Sequence, residues 1–270
     1  PDSPIAARLA EEVALSRLEA PKEVQQGESL RATAYWLATK RPSRDYIAEW
    51  RLLMPGHEIT TTQSLAPGSS PTDWPVGAWV AGRAVLSVQP TAPPGEYTLS
   101  LRLRDPTSGA VFGAYTHPET VRIQERVRVW ELPHLEHRVG AQFSGMIELA
   151  GYSLTQDEER LQLTLHWRAL STPDQHYTFF VHLADPDSGR PLVQVDTMPR
   201  AFTYPTGMWA PGEIVSDEVS LSVQDAPRGS YDLAVGWYDP ETRDRLPAVD
   251  AQGKPLPDDR LLLPGGVTLP

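Results

Sequence analysis

Leu161-Gln162-Leu163-Thr164-Leu165-His166-Trp167 decides the fold class. Apolar Leu161, Leu163, Leu165 and Trp167 alternate with polar Gln162, Thr164 and His166. A period of two puts one face of an extended segment on a core and the other in water. The same rhythm returns at Leu30, Ala32, Ala34 and Trp36 against Arg31, Thr33 and Tyr35. It returns again at Tyr177, Phe179, Val181 and Leu183, and at Tyr231, Leu233, Val235 and Trp237. Pro- and Gly-rich turns separate these runs, as at Pro55-Gly56, Asp105-Pro106 and Asp239-Pro240. Each half of the chain reads as about seven or eight short strands with almost no helix. That pattern predicts an all-β chain of antiparallel β-sandwiches, immunoglobulin-like or jelly-roll-like.

The landmarks of one half recur in the other. Trp167, Tyr177, Trp209, Gly229-Ser230-Tyr231 and Asp239-Pro240 echo Trp36, Tyr46, Trp79, Gly95-Glu96-Tyr97 and Asp105-Pro106. The offset is 131 residues at Trp36, 130 at Trp79 and 134 at Asp105. A domain-sized period implies an internal duplication into two tandem sandwiches. The expected layout is a lead-in at 1–12, a first sandwich at 13–130, a linker at 131–142 and a second sandwich at 143–270. Pro4 to Glu12 reads either as two helical turns, with Ser3 as N-cap and Pro4 first, or as a plain lead-in. Thr120 to Val129 is expected to close the first domain as a strand.

The chain has 270 residues, and each half is long enough to bury its own core. With no Cys there is no disulfide, thiolate metal site or Cys nucleophile, and the compartment stays open. A net charge of −11 argues against nucleic acid and against docking on anionic lipid. It suits a neutral partner such as a glycan. No apolar run reaches the length of a membrane span. The opening Pro1-Asp2-Ser3-Pro4 lacks a signal-peptide pattern and reads as a piece of something longer.

The candidate ligand-binding residues are Trp74, Trp79, Tyr204 and Trp209. They lie in Trp74-Pro75-Val76-Gly77-Ala78-Trp79 and Tyr204-Pro205-Thr206-Gly207-Met208-Trp209, loops rigidified by Pro just before a strand. Two readings stand. The aromatics plug the end of each sandwich, or they form stacking platforms for sugar rings, whose axial C–H groups suit a π face. Trp36, Trp167, Tyr97, Tyr231 and Trp237, at the apolar phase of strands, read as core.

Asp185-Pro186-Asp187-Ser188-Gly189 has carboxylates spaced as in calcium loops but lacks an EF-hand's further ligands, so it reads as a turn. Asp239, Glu241 and Asp244 read likewise. His134-Leu135-Glu136-His137 has no helical context. Glu158-Glu159 reads as solvated charge. No nucleophile elbow, phosphate loop or dinucleotide fingerprint is present. The sequence therefore offers no catalytic constellation, metal site or cofactor site.

One resemblance extends over most of 143–265. It is carried by Leu165-His166-Trp167-Arg168-Ala169, Tyr177 to Leu183, Tyr204-Pro205-Thr206, Trp209-Ala210-Pro211-Gly212-Glu213 and Val235-Gly236-Trp237-Tyr238-Asp239. The closing run from Val249 to Leu263 fits too. Together these resemble a module found mainly in Chloroflexota-type bacteria. There it forms the C-terminus of polytopic membrane glycosyltransferases related to protein mannosyltransferases, on the extracytoplasmic side, and it occurs in other surface proteins. The first half matches only through the duplication, and departs at Trp50-Arg51 where the module has Val-His. The resemblance implies an extracytoplasmic, non-catalytic accessory role, any chemistry residing in a membrane region outside this chain. It carries no catalytic residue over. The expected partner is a glycan or an envelope protein. The alternative is a structural module that assembles cell-surface proteins through its sheet edges or faces.

Overall fold

The computed structural model describes residues 5–269. The chain is all-β and divides into two compact units between Arg126 and Val127. In the first unit the strands are β1 (Ala7–Arg8), β2 (Val13–Glu19), β3 (Glu23–Gln25), β4 (Ser29–Ala38) and β5 (Ile47–Met54). They continue with β6 (His57–Ser64), β7 (Trp79–Ser87), β8 (Gly95–Arg104) and β9 (Val111–Gln124). One sheet has the order β1-β2-β4-β7, the other β3-β9-β8-β5-β6. All these pairs are antiparallel except β3 with β9.

The second unit has β10 (His137–Phe143), β11 (Ile147–Gln156), β12 (Arg160–Ala169), β13 (Thr178–Ala184) and β14 (Pro191–Thr197). It ends with β15 (Ile214–Ser222), β16 (Gly229–Tyr238), β17 (Ala248–Val249), β18 (Leu261–Leu262) and β19 (Val267–Leu269). Its sheets run β15-β12-β11-β10-β17 and β14-β13-β16-β18, with β19 also on β16. The runs β2-β4-β7 and β8-β5-β6 thus have the same order as β11-β12-β15 and β16-β13-β14.

Period-two patterning explains the layers. Leu161, Leu163, Leu165 and Trp167 of β12 meet Phe179, Val181 and Leu183 of β13 and Leu233, Val235 and Trp237 of β16 in one core. Trp167 and Trp237 pack edge-to-face, ring centres 4.9 Å apart, a favoured aromatic geometry. In the first unit Leu30, Ala32, Ala34 and Trp36 of β4 share a core with Trp50, Leu52, Leu99 and Leu101. Each unit is therefore two sheets packed face to face, a β-sandwich. Tyr97 and Tyr231 each send their hydroxyl to a carbonyl four residues upstream, Pro93 at 2.8 Å and Pro227 at 2.7 Å. That bond lets a buried ring keep its polar tip satisfied.

Several expectations are corrected. No helix spans the described residues of Pro4 to Glu12; Ala7–Arg8 pairs with Leu15 and Ala14 instead. Two isolated helical turns are marginal, whereas pairing with β2 satisfies the backbone and buries Leu9. Ser3 and Pro4 lie outside the described residues. The strand expected over Thr120 to Val129 runs from Val111 to Gln124, carried by its antiparallel ladder on β8. Residues 137–142, read as linker, form most of β10, paired with β11.

Candidate functional site

The four loop aromatics do not share one environment. Trp74 is 3 %, Tyr204 4 % and Trp209 0 % exposed, whereas Trp79 is 50 % exposed. Three of the four expected sugar platforms are therefore core residues with no face open to a ring. The platform reading is corrected for Trp74, Tyr204 and Trp209, and Trp79 alone keeps an open face.

The reason lies in local geometry. Pro71–Asp73 and Thr206–Met208 each form one 3-10 turn, closed by the N–H of Trp74 on Pro71 O and of Trp209 on Thr206 O, both 3.0 Å. Each indole then donates back five residues, Trp74 to Ser69 Oγ at 2.9 Å and Trp209 to Tyr204 O at 3.1 Å. Three residues on, Gly77 and Gly212 take φ of 83° and 87°, a region that favours glycine. Their N–H groups donate to Ala38 O at 2.8 Å and Ala169 O at 2.7 Å. Trp209 therefore matches Trp74, and Trp79 matches Ile214. The sequence pairing of Trp79 with Trp209 was five residues out of register, because it matched aromatics and not the backbone turn that positions them.

Trp79 opens β7 at the edge of its sheet, directly across from Leu37. Ala81 lies across from Tyr35 on the same outer face. Arg17 sits 4.4 Å above the Tyr35 ring and pairs with Glu19 at 2.9 Å, and the Tyr35 hydroxyl donates to Glu19 at 3.0 Å. Val85 on the same strand is half exposed. The face thus offers one open indole, an aliphatic surface and an oriented charged pair. Such a surface can stack an apolar ring face and hydrogen-bond hydroxyls at its margin.

In the second unit the strongest electrostatic feature is structural. Arg128 and Glu213 form an ion pair with side chains only 3 % and 2 % exposed. Arg128 Nη1 also donates to Tyr204 Oη at 2.7 Å and to Met208 O at 3.0 Å. Glu213 accepts from the Tyr204 hydroxyl at 2.7 Å and from Ala210 N–H at 2.9 Å. With Ile214 N–H on Val129 O at 2.7 Å, this network holds the 127–130 segment against the Trp209 loop. A buried ion pair stands only when its other donors and acceptors are satisfied, as here. Ala78 takes the place of Glu213 in the first unit, so the network has no counterpart there. Nothing in the local pattern of the sequence marks Arg128, which lies far from Glu213 along the chain.

Compared with known proteins, the chain matches no family model and no curated protein.

Several of the other acidic and histidine candidates have local partners. Asp185 Oδ1 accepts both the N–H and the hydroxyl of Ser188 at 2.7 Å, which lowers its pKa below the ordinary range. Asp239 accepts Glu241 N–H at 2.7 Å and is lowered for the same reason. Asp157 rather than Glu158 or Glu159 organises its turn, capping Arg160 N–H at 2.7 Å. His137 stacks on Tyr152 at 4.7 Å, and His182 faces Asp196 at 3.2 Å, burial lowering its pKa. Among the described residues no group of three His, Asp or Glu is arranged to hold a metal ion.

Asp217 is different. It occupies an inward position on β15, is 4 % exposed, and accepts Arg200 N–H through Oδ1. Burial raises its pKa to about 6, against the opposing pull of that N–H and of the Arg200 charge. Neither Asp217 Oδ2 nor Trp167 Nε1 makes a well-formed hydrogen bond. The Trp167 indole contributes a weaker interaction that favours the charged carboxylate.

Proposed function

We propose that this chain is a non-catalytic accessory module on the extracytoplasmic side of a membrane glycosyltransferase-like or cell-envelope protein, and that it engages glycan. The observation that carries the glycan reading is the exposed indole of Trp79 beside Leu37, Tyr35 and the Arg17–Glu19 pair. An indole on a strand held by a packed sandwich loses little entropy on binding, and suits the C–H face of a sugar. The carboxylates most deeply buried, Glu213 and Asp217, hold the fold together through Arg128, Tyr204 and Arg200.

A glycan-array screen of the whole chain tests this reading, with Trp79→Ala alongside. Binding that is lost in the variant while the fold persists supports it. Binding unchanged in Trp79→Ala removes Trp79 from the site, and a folded chain that captures no glycan removes the ligand.

Exposed Val76, Trp79 and Val85 on and before edge strand β7 also favour a second reading, an assembly module that contacts another envelope protein. Concentration-dependent association in sedimentation, abolished by Val85→Glu, would favour that reading.

A further inference from the structure

The seam between a loop and a 3-10 turn is closed by different bonds in the two units: the β12–β13 loop in the second, the β4–β5 loop in the first. In the second unit Thr206 Oγ1 donates to Gln175 O at 2.7 Å and accepts Tyr177 N–H at 3.0 Å. Gly207 N–H points at His176 Nδ1 at 3.3 Å, and a Cβ on Gly207 would meet the His176 ring at 2.8 Å. The turn can lie flat on the loop because that position lacks a side chain.

In the first unit, Pro71 and Thr72 hold the positions of Thr206 and Gly207, counted back from Trp74 and Trp209. Pro71 has no hydroxyl with which to bridge the seam, and Thr72 brings a β-branched side chain where Gly207 has none. The loop and the turn are joined instead through Ser70 and Asp45, beside a cleft of about 450 Å3, a size within the range of small-ligand sites. Buried Tyr46, Ala66 and Pro71 form its floor, and half-buried Ile47 and exposed Pro106 give it apolar surface toward solvent; Asp45, Ser64, Ser69 and Ser70 line it with polar groups.

The chemistry of the lining selects a ligand class. The Ser70 hydroxyl donates to Asp45 Oδ1, and Thr72 Oγ1 lies 2.8 Å from the same hydroxyl. A carboxylate has about four acceptor sites, so most of Asp45 is left for a ligand's donors. Asp45 and Ser64 are exposed at the mouth. The neighbouring cation Arg44 is turned to Asp105 at 3.7 Å and to the Phe112 ring at 5.6 Å. Among the described residues, the one charge lining the cleft is therefore negative, which disfavours anionic ligands. Apolar walls with an acceptor carboxylate and hydroxyls at the mouth match a neutral ring that is apolar on its faces and hydroxylated on its rim.

We propose that this cleft binds a single neutral pyranose unit, the Asp45 carboxylate accepting from its hydroxyls and the Ile47 and Pro106 side chains taking its C–H face. This assignment rests on the glycan reading above but on residues separate from Trp79.

The test is backbone amide shift mapping of the 15N-labelled whole chain. Methyl α-D-glucopyranoside and methyl α-D-mannopyranoside are titrated in turn, with glycerol as a polyol lacking a ring face. The expected result is saturable shifts at residues 45–47 and 64–70 with a glycoside and none with glycerol. Ser64→Tyr fills the mouth from an exposed position, and Asp45→Ala removes the acceptor. Each should weaken binding about tenfold or more with the spectrum otherwise intact. Cleft shifts that persist in Trp79→Ala uphold the cleft and remove the Trp79 surface. Shifts confined to the surroundings of Trp79 keep the glycan reading and overturn the cleft. Equal shifts with glycerol, or shifts that survive both cleft variants, overturn it as well. Silence at every residue overturns both.

Discussion

Asp217 stands where the first sandwich has Gly82. Each residue is paired across its sheet with the residue two before the core tryptophan, Gly82 with Ala34 and Asp217 with Leu165. In the first unit the vacancy admits a backbone carbonyl, and Trp36 Nε1 donates to Leu65 O at 3.1 Å. In the second unit a carboxylate fills that space, beside a Trp167 indole that makes no full hydrogen bond. The same core tryptophan is thus served by a loop carbonyl in one unit and by an acidic side chain in the other.

Gly82→Ala should destabilise the first unit by about 2–4 kcal/mol, from overpacking plus loss of a buried hydrogen bond. A Cβ there would lie 1.7 Å from Leu65 O and 2.9 Å from Trp36 Nε1. Urea unfolding followed by tryptophan fluorescence measures this. An unchanged midpoint would show that the 65–70 loop moves aside at little cost.

Asp217 should make stability depend on pH in an unusual direction for a carboxylate. Its folded pKa, about 6, exceeds the ordinary 3.8. Between those values the folded chain holds a proton that the unfolded chain has lost. Stability from this group is therefore greatest below about pH 4 and falls as pH rises to about 6, by about 3 kcal/mol in all. Asp217→Asn should remove that slope while Oδ1 still accepts from Arg200. Denaturation midpoints of the two proteins across this window decide it, and parallel curves would refute the assignment.

Removing one partner of the Arg128–Glu213 pair should be far worse than removing both. Arg128→Ala leaves Glu213 buried without its cation and should cost about 3–5 kcal/mol. Arg128→Met with Glu213→Leu should recover most of that loss, since the pair's desolvation cost disappears with it. A double-mutant cycle on chemical denaturation gives the coupling.

Trp79 and Trp209 should separate cleanly. Trp79→Ala should change stability by no more than about 0.5 kcal/mol, as at an ordinary surface site. Trp209→Ala empties a core position between Tyr204 and Trp237 and should cost about 3–5 kcal/mol. Trp209 and Trp237 pack edge-to-face at 5.9 Å, so the loss extends into the sandwich centre. Thermal unfolding of the two variants reads this directly.

The strands were legible because burial in a sheet writes itself into the chain every second residue. Leu161 to Trp167 announced β12, and Leu30 to Trp36 announced β4. The turns at Asp105, Asp185 and Asp239 were legible because Asp and Gly have local uses that need no distant partner. Trp74, Tyr204 and Trp209 were not placed, because loop residues follow no period from which to infer an inward or outward side.

The sequence by itself determined the all-β class, the two-unit organisation and the core tryptophans Trp36, Trp167 and Trp237, all consequences of alternation and local turn chemistry. Only the tertiary structure decided which loop aromatic stays open, that Arg128 meets Glu213, that Gly82 makes room for a carbonyl while Asp217 takes its place, and that the loop–turn seam is closed by different bonds in the two units, in the first beside a cleft. These depend on groups remote along the chain arriving within hydrogen-bonding or van der Waals distance. Short-range pattern does not encode such encounters; the packing of whole sheets and the loops between them does.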